Sequence, residues 1–156
     1  MTVPGYVLYN YKQDIKIMAG RRHKGRTIAL QALYEVDAVA RKPEAVTERL
    51  LGEVELSEEN KEFVRGLVNG TIKNRENIDR SIHKHAPAWP VDQIAIIDRN
   101  ILRLAIYEFL FDNKVPVKVA VSEAVELAKA FGSDKSSKFV NGVLGAISAL
   151  ASRKEA

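Results

Sequence analysis

The sequence predicts an all-α protein. Apolar residues recur three and four apart through nearly every segment after residue 26, and Gly, Pro and Ser punctuate the boundaries between those segments. The only strand-like alternation, Val7, Tyr9 and Tyr11, has no second strand-like segment with which to pair. Six or seven helices follow from this pattern, with no repeat of fixed period.

Residues 1–20 differ in style from the rest of the chain and read as a flexible extension. Met18 opens MAGRRHKGRT, itself a natural beginning, so translation is expected to start there and residues 1–17 to be an artefact of start-site assignment. Arg21, Arg22, His23, Lys24 and Arg26 form the densest basic cluster of the chain. Such a cluster before a helix can wrap onto a phosphate backbone and release counterions, or stand as a solvated basic terminus.

Ala29, Leu33, Val36 and Ala40 carry the first apolar stripe as far as Pro43, and Val46, Leu50 and Leu51 carry a short second helix to Gly52. Ser57 is an N-cap candidate, with Glu58 and Glu59 suited to the positive end of the helix dipole. The stripe Phe63, Val64, Leu67, Val68, Ile72, Ile78 and Ile82 predicts one helix to His83, the longest of the chain. Gly66 and Gly70, four apart within it, are suited to close approach by another helix. The connector HKHAPAWP, residues 83–90, divides two lobes at about 21–85 and 90–152, and Trp89 is expected to pin it to the core.

Residues 93–111 are apolar around most of a helical circumference, which predicts a central helix with a break near Ala95 and with Asp98, Arg99, Arg103 and Glu108 on its few exposed strips. Val117–Phe131 is amphipathic, with Glu123 and Glu126 on a solvated face, and Gly132 closes it. Ser133 or Asp134 can cap the last helix, whose stripe runs from Phe139 through Leu150 before a polar tail at 153–156. In FGSDKSSKFVNGVL, residues 131–144, two aromatics and two lysines surround the turn. An aromatic beside a lysine can stack on a base while the cation meets a phosphate; the same aromatics could instead be core residues flanking the turn.

Composition bounds the function. The 156 residues are 46% hydrophobic and 28% charged, as expected of one globular domain. The net charge of +4 leans toward anionic partners. With no cysteine, disulfides, thiolate catalysis and cysteine-ligated metals are excluded. His83 and His85, two apart on a helix, do not face each other and suggest no metal. No apolar run has the length of a membrane span or of a signal peptide core, so a cytoplasmic protein without a membrane partner is expected. No P-loop, zinc or calcium pattern is present, and no cofactor is expected.

Three segments, RRHKGRTIALQALYEVD, DRNILRLAIYEFLF and VPVKVAVSEAVELAKAFGSDKSSKFVNGVLGAI, together resemble the NusB family of bacterial transcription antitermination factors, in order and spacing, over roughly residues 21–150. The resemblance implies an all-helical fold of two small bundles and no enzymatic activity. It further implies binding to the boxA segment of ribosomal RNA leaders, together with the small-subunit ribosomal protein that acts as NusE, within the RNA polymerase antitermination complex. Carried over by position, the RNA-binding residues are Arg21, Arg22, His23, Lys24 and Arg26, then Phe131, Lys135, Lys138, Phe139 and Asn141. Lys135 stands where some members carry an acid, with Asp134 one place earlier; either Asp134 takes that role or Lys135 adds a phosphate contact. His23 replaces an arginine of some relatives, which makes the charge there pH-dependent. Some members self-associate, so a homodimer is a further partner to test. A helical protein-interaction module with an incidental basic terminus is the alternative function. In other relatives the unit is the RNA-binding domain of a ribosomal RNA methyltransferase, but the cofactor-binding domain of such an enzyme is not found in these residues.

Overall fold

The computed structural model describes the backbone of residues 4–155 and the side chains of residues 20–149. Among the described residues seven α-helices form: α1 (Pro4–Val39), α2 (Pro43–Gly52), α3 (Glu58–Lys73), α4 (Arg75–His85), α5 (Ile96–Ile106), α6 (Val117–Phe131) and α7 (Ser136–Glu155). A short 3-10 turn, Val91–Gln93, precedes α5, and a π-helical turn, Tyr107–Asp112, continues it. No strand occurs among the described residues. The extension predicted as flexible has helical backbone from Pro4 onward, continuous with the rest of α1; its side chains, like that of Leu150 and those of the 153–156 tail, lie outside the described residues.

Helices α1, α2 and α3 pack together, as do α5, α6 and α7, and α1 joins the two groups by packing on α5. Apolar side chains from all seven helices merge into one core, with Leu30, Leu51, Ile82, Leu102, Leu127 and Leu144 fully enclosed. α1 ends at Ala40, whose φ of 52° is left-handed, and Pro43 then stands in the first turn of α2, where its missing N–H costs nothing. Ser57 caps α3 by accepting from the Asn60 backbone N–H at 3.2 Å.

Four expectations are corrected. The single helix predicted to run to His83 is two helices, and α1, at 36 residues, is the longest. The break falls at Asn74, whose side-chain Nδ2 donates to the Gly70 carbonyl at 2.7 Å, and α4 then turns to pack chiefly on α7 and α5. Trp89 does not enter the core; it is 57% exposed. Asp98, Arg103 and Glu108 are buried rather than placed on exposed strips, and partners on other helices meet Arg103 and Glu108 there. Glu123 likewise is only partly solvated and faces His23 and Arg26.

The glycine pair in α3 splits by role. A Cβ on Gly70 would fall inside the Tyr107 ring, whereas one on Gly66 would meet open space. The π turn presents Tyr107 to Gly70 and Glu108 to α1 from adjacent positions, and Asn113, at φ 57°, closes it by donating to the Glu108 carbonyl at 3.1 Å.

Candidate nucleic-acid interface

The loop between α6 and α7 is tightly built. The Ser133 backbone N–H donates to Ser136 Oγ at 2.8 Å, the Ser136 N–H returns to the Ser133 carbonyl at 3.0 Å, and the Gly132 N–H reaches back to Ala128 at 2.9 Å. Gly132 is required by close approach: a Cβ there would lie 2.8 Å from the Ala128 carbonyl oxygen and would collide with Ser136. Neither Ser133 nor Asp134 caps α7 through its own side chain in the predicted way; buried Ser136 organises the turn instead.

This turn sends Lys135, Lys138 and Phe139 into one hollow of about 510 Å³, completed by Trp89, Gln93, Ile94, Ala95 and Asp98. Lys135 and Lys138 are exposed, and Phe139 is half-buried with its ring against the core. Phe131 lies on the other side of Ala95. It is 50% exposed and closes a second hollow of about 730 Å³ with Thr27, Leu30, Gln31, Tyr34, Ile96 and Ile97. Ala95 lines both, so the two hollows adjoin. The two readings of the aromatics therefore divide: Phe139 is part core and part hollow, and Phe131 is a surface residue. Asn141 is exposed on the first turns of α7.

The basic cluster does not form one patch, because on α1 its members face different neighbours. Arg21 and Lys24 lie beside the α2–α3 loop, where Lys61 adds a cation. Arg22 lies over the Phe63 ring, 4.1 Å from its centroid, and within 3.4 Å of Glu59. His23 Nδ1 is 2.7 Å from Glu123 Oε2 on α6. Arg26 is turned inward: only 5% exposed, it holds Glu108 through contacts of 2.9, 3.0 and 3.1 Å. Its guanidinium is thus paired within the core, where the sequence reading expects it at an exposed basic surface. Burial pushes the Glu108 carboxyl above the ordinary carboxylate range, and the Arg26 hydrogen bonds and charge oppose that rise.

A second set of buried charges links α1, α4 and α5. Asp37 of α1 accepts from Arg99 at 2.7 and 2.9 Å, from Arg103 at 3.0 Å and from Asn100 at 2.9 Å; Arg103 also grips Asp79 of α4 at 2.8 and 3.0 Å. Burial works to raise the Asp37 pKa, but the hydrogen bonds from Arg99 and Asn100 and the charges of Arg103 and Arg99 outweigh it and hold the carboxyl at about 2. Arg99 extends this set outward by donating to the Asp92 carbonyl at 3.3 Å.

Sequence reasoning left out Trp89, Tyr34, Gln31, Ala95 and Asp98 as members of these hollows. The signal for Trp89 was present in its flanking prolines, which keep a residue on a surface turn; Tyr34 and Asp98 lie on helices whose orientation only the packing settles. Asp98 is buried, and its Oδ1 has no hydrogen-bond partner among the described residues. Among those residues, no His, Cys, Asp and Glu group has metal-binding geometry and no helix is long and apolar enough to cross a membrane.

Residues 23–149 match the NusB family. The chain is 51% identical over 131 residues to the transcription antitermination protein NusB of Dehalococcoides mccartyi strain CBDB1, covering 84% of this chain and 92% of the relative. It is 48% identical over 132 residues to the protein of that name from Chloroflexus aggregans, covering 83% and 88%. Among solved structures, NusB of T. maritima superimposes with a TM-score of 0.76 at 35% identity, covering 81% of this chain and 89% of that one. A chain from the complex of antitermination factors NusB and NusE with dsRNA gives 0.73 at 32% identity, covering 81% and 95%. With a family match across most of its length and relatives of about half-identical sequence, the chain belongs to the NusB family.

Proposed function

We propose that this chain is a non-enzymatic, cytoplasmic transcription antitermination factor that recognises the boxA segment of ribosomal RNA leader transcripts together with the ribosomal protein NusE. The observation that carries the reading is the convergence of Lys135, Lys138 and Phe139 in one hollow, with Phe131 in the adjoining one. Lysines at the rim of an aromatic-lined hollow suit a single strand, whose phosphates meet the cations while unpaired bases meet the rings. The names borne by the relatives, and the structural relative solved with NusE and dsRNA, support the same reading. Arg21, Arg22 and Lys24 contribute salt-sensitive phosphate contacts; Arg26 positions α1 instead. His23 orients against Glu123, and Asn141 offers an amide to a base edge from the exposed side of α7.

Fluorescence anisotropy with a labelled boxA-type RNA and a scrambled control, each with and without NusE at two salt concentrations, tests this. Preference for boxA that rises when NusE is added is the expected result. Lys135→Ala and Lys138→Ala each reduce the salt slope by about 0.7 if each lysine meets one phosphate of a single strand. Weak, equal binding to both RNAs that vanishes with salt would make the chain a protein-interaction module with an incidental basic terminus.

A further inference from the structure

We propose that Trp89 is a base-stacking platform on the rim of the RNA hollow, taking the face of one unpaired base while Lys135 and Lys138 hold the adjoining phosphates. The inference rests on the RNA-binding reading above and adds to it a residue that neither the basic cluster nor the α6–α7 turn contains.

Three observations carry it. First, Trp89 is 57% exposed, although indole is the side chain with the largest apolar surface to lose from water. Second, exposure of large aromatics is concentrated. Among the described residues the exposed large aromatic side chains are Tyr34, Trp89 and Phe131, and all three line the two hollows that meet at Ala95. Third, the backbone that carries the indole is held in place while the ring stays outside the core. Pro87 and Pro90 fix the backbone on either side, the Trp89 backbone N–H donates to the Ala86 carbonyl at 3.0 Å, and the following 3-10 turn closes with the Gln93 backbone N–H donating to the Pro90 carbonyl at 2.9 Å. A turn that is already fixed need not be ordered when a base stacks on the ring it carries.

The surroundings favour a nucleic acid over a protein as the occupant. Lysine is depleted from the centres of protein–protein interfaces, yet two exposed lysines share this hollow with the indole. Aromatic faces with cations beside them are the recurring arrangement for unpaired strands, since every base has a π face and every linkage a phosphate.

Trp89 is the one tryptophan of the chain, so its emission reports on this position alone. The test is a titration of the full chain with boxA-type RNA, following tryptophan emission corrected for absorption by the RNA, beside the anisotropy of a labelled RNA under the same conditions. Stacking predicts quenching with the same midpoint as the anisotropy change. Trp89→Ala is expected to weaken binding by about 5- to 140-fold with an unchanged salt slope, since a stacking contact releases no counterion. Trp89→Phe restores most of that loss, and both variants keep the parent's melting temperature because the side chain lies outside the core. Intact RNA binding with neither quenching nor a Trp89→Ala effect overturns the inference and leaves the RNA reading standing. Loss of NusE binding by Trp89→Ala with unchanged RNA affinity assigns the indole to a protein face and overturns it as well. Absence of RNA binding by the unaltered chain overturns both.

Discussion

Arg26 separates a structural charge from a binding charge, and Arg26→Met tests the distinction. The guanidinium makes three contacts of 2.9–3.1 Å with Glu108, which is only 2% exposed, and stands 3.7 Å from Glu123. Removing one partner of a buried ion pair leaves the other charge uncompensated, at a cost of about 3–5 kcal/mol. For a domain whose total stability is on the order of 5–15 kcal/mol that is a large share, and with a urea slope of about 2 kcal/mol/M the unfolding midpoint falls by about 2 M. The sign of the pH dependence follows from Glu108. Burial already raises its carboxyl pKa in the fold, and losing Arg26 removes what opposes the rise. A carboxyl whose folded pKa lies above the unfolded value favours the fold below the ordinary carboxylate range and loses that contribution as pH rises through the folded pKa. The deficit of Arg26→Met is therefore smaller near pH 4.5 than at pH 7. Arg26→Met/Glu108→Leu recovers most of the loss because no charge is then stranded. Urea unfolding at both pH values measures all of this. Unchanged stability of Arg26→Met, with RNA affinity reduced and a lower salt slope, would refute the assignment and return Arg26 to the RNA surface.

Three further outcomes follow from the packing. Asp37→Asn is expected to cost about 2 kcal/mol at pH 7, the worth of a carboxyl held at about 2 against an ordinary 3.8. That contribution is present above the unfolded pKa and is lost as pH falls from about 4 toward 2, so denaturant midpoints of parent and variant converge there; parallel curves across that range would exclude the network as the cause. On α3, Gly66→Ala should stabilise by about 1 kcal/mol through helix propensity, raising the melting temperature by about 2–4 °C. Gly70→Ala should destabilise by about 2 kcal/mol because Tyr107 occupies the space its Cβ needs, and equal melting temperatures for the two variants would contradict that packing.

The helices were legible because their apolar stripes are long: Ala29 and Leu33, Val64 and Leu67, Ala124 and Leu127, and Val140 and Leu144 are buried where the period places them. The break at Asn74 was not, since Ile72, Ile78 and Ile82 keep helical phase across it and asparagine is tolerated within helices. Its only local signal is a side chain short enough to bond Gly70. The buried charges were illegible for a different reason. Arg26 and Glu108 are 82 positions apart and Asp37 and Arg103 are 66 apart, so nothing near any of them in sequence names the partner that makes burial tolerable. Trp89 shows the opposite failure: hydrophobicity argued for the core, but the proline-flanked turn kept it outside. In the α6–α7 segment the chemistry of Phe131, Lys135, Lys138 and Phe139 was readable, and the hollows that join them to Tyr34, Trp89 and Asp98 required the fold.

The buried charges also explain why the hollows can be fixed in shape at the surface. The connector is closed by its own backbone bonds, from Trp89 to Ala86 and from Gln93 to Pro90, and a side chain from α5 adds to them. Arg99 is that side chain: it grips Asp37 of α1 and donates to the Asp92 carbonyl, three residues beyond Trp89. Arg26 and His23 fasten the other end of the same α1 segment to Glu108 and Glu123, and Glu123 lies on α6, the helix that ends at Phe131. Part of the basic cluster is thus consumed in holding α1 against Glu108 and Glu123, and the remainder, Arg21, Arg22 and Lys24, is too small to account for specific recognition through charge alone. On the proposed reading, discrimination among RNAs comes from the aromatic rims, so the salt slope and the sequence preference should respond to different substitutions.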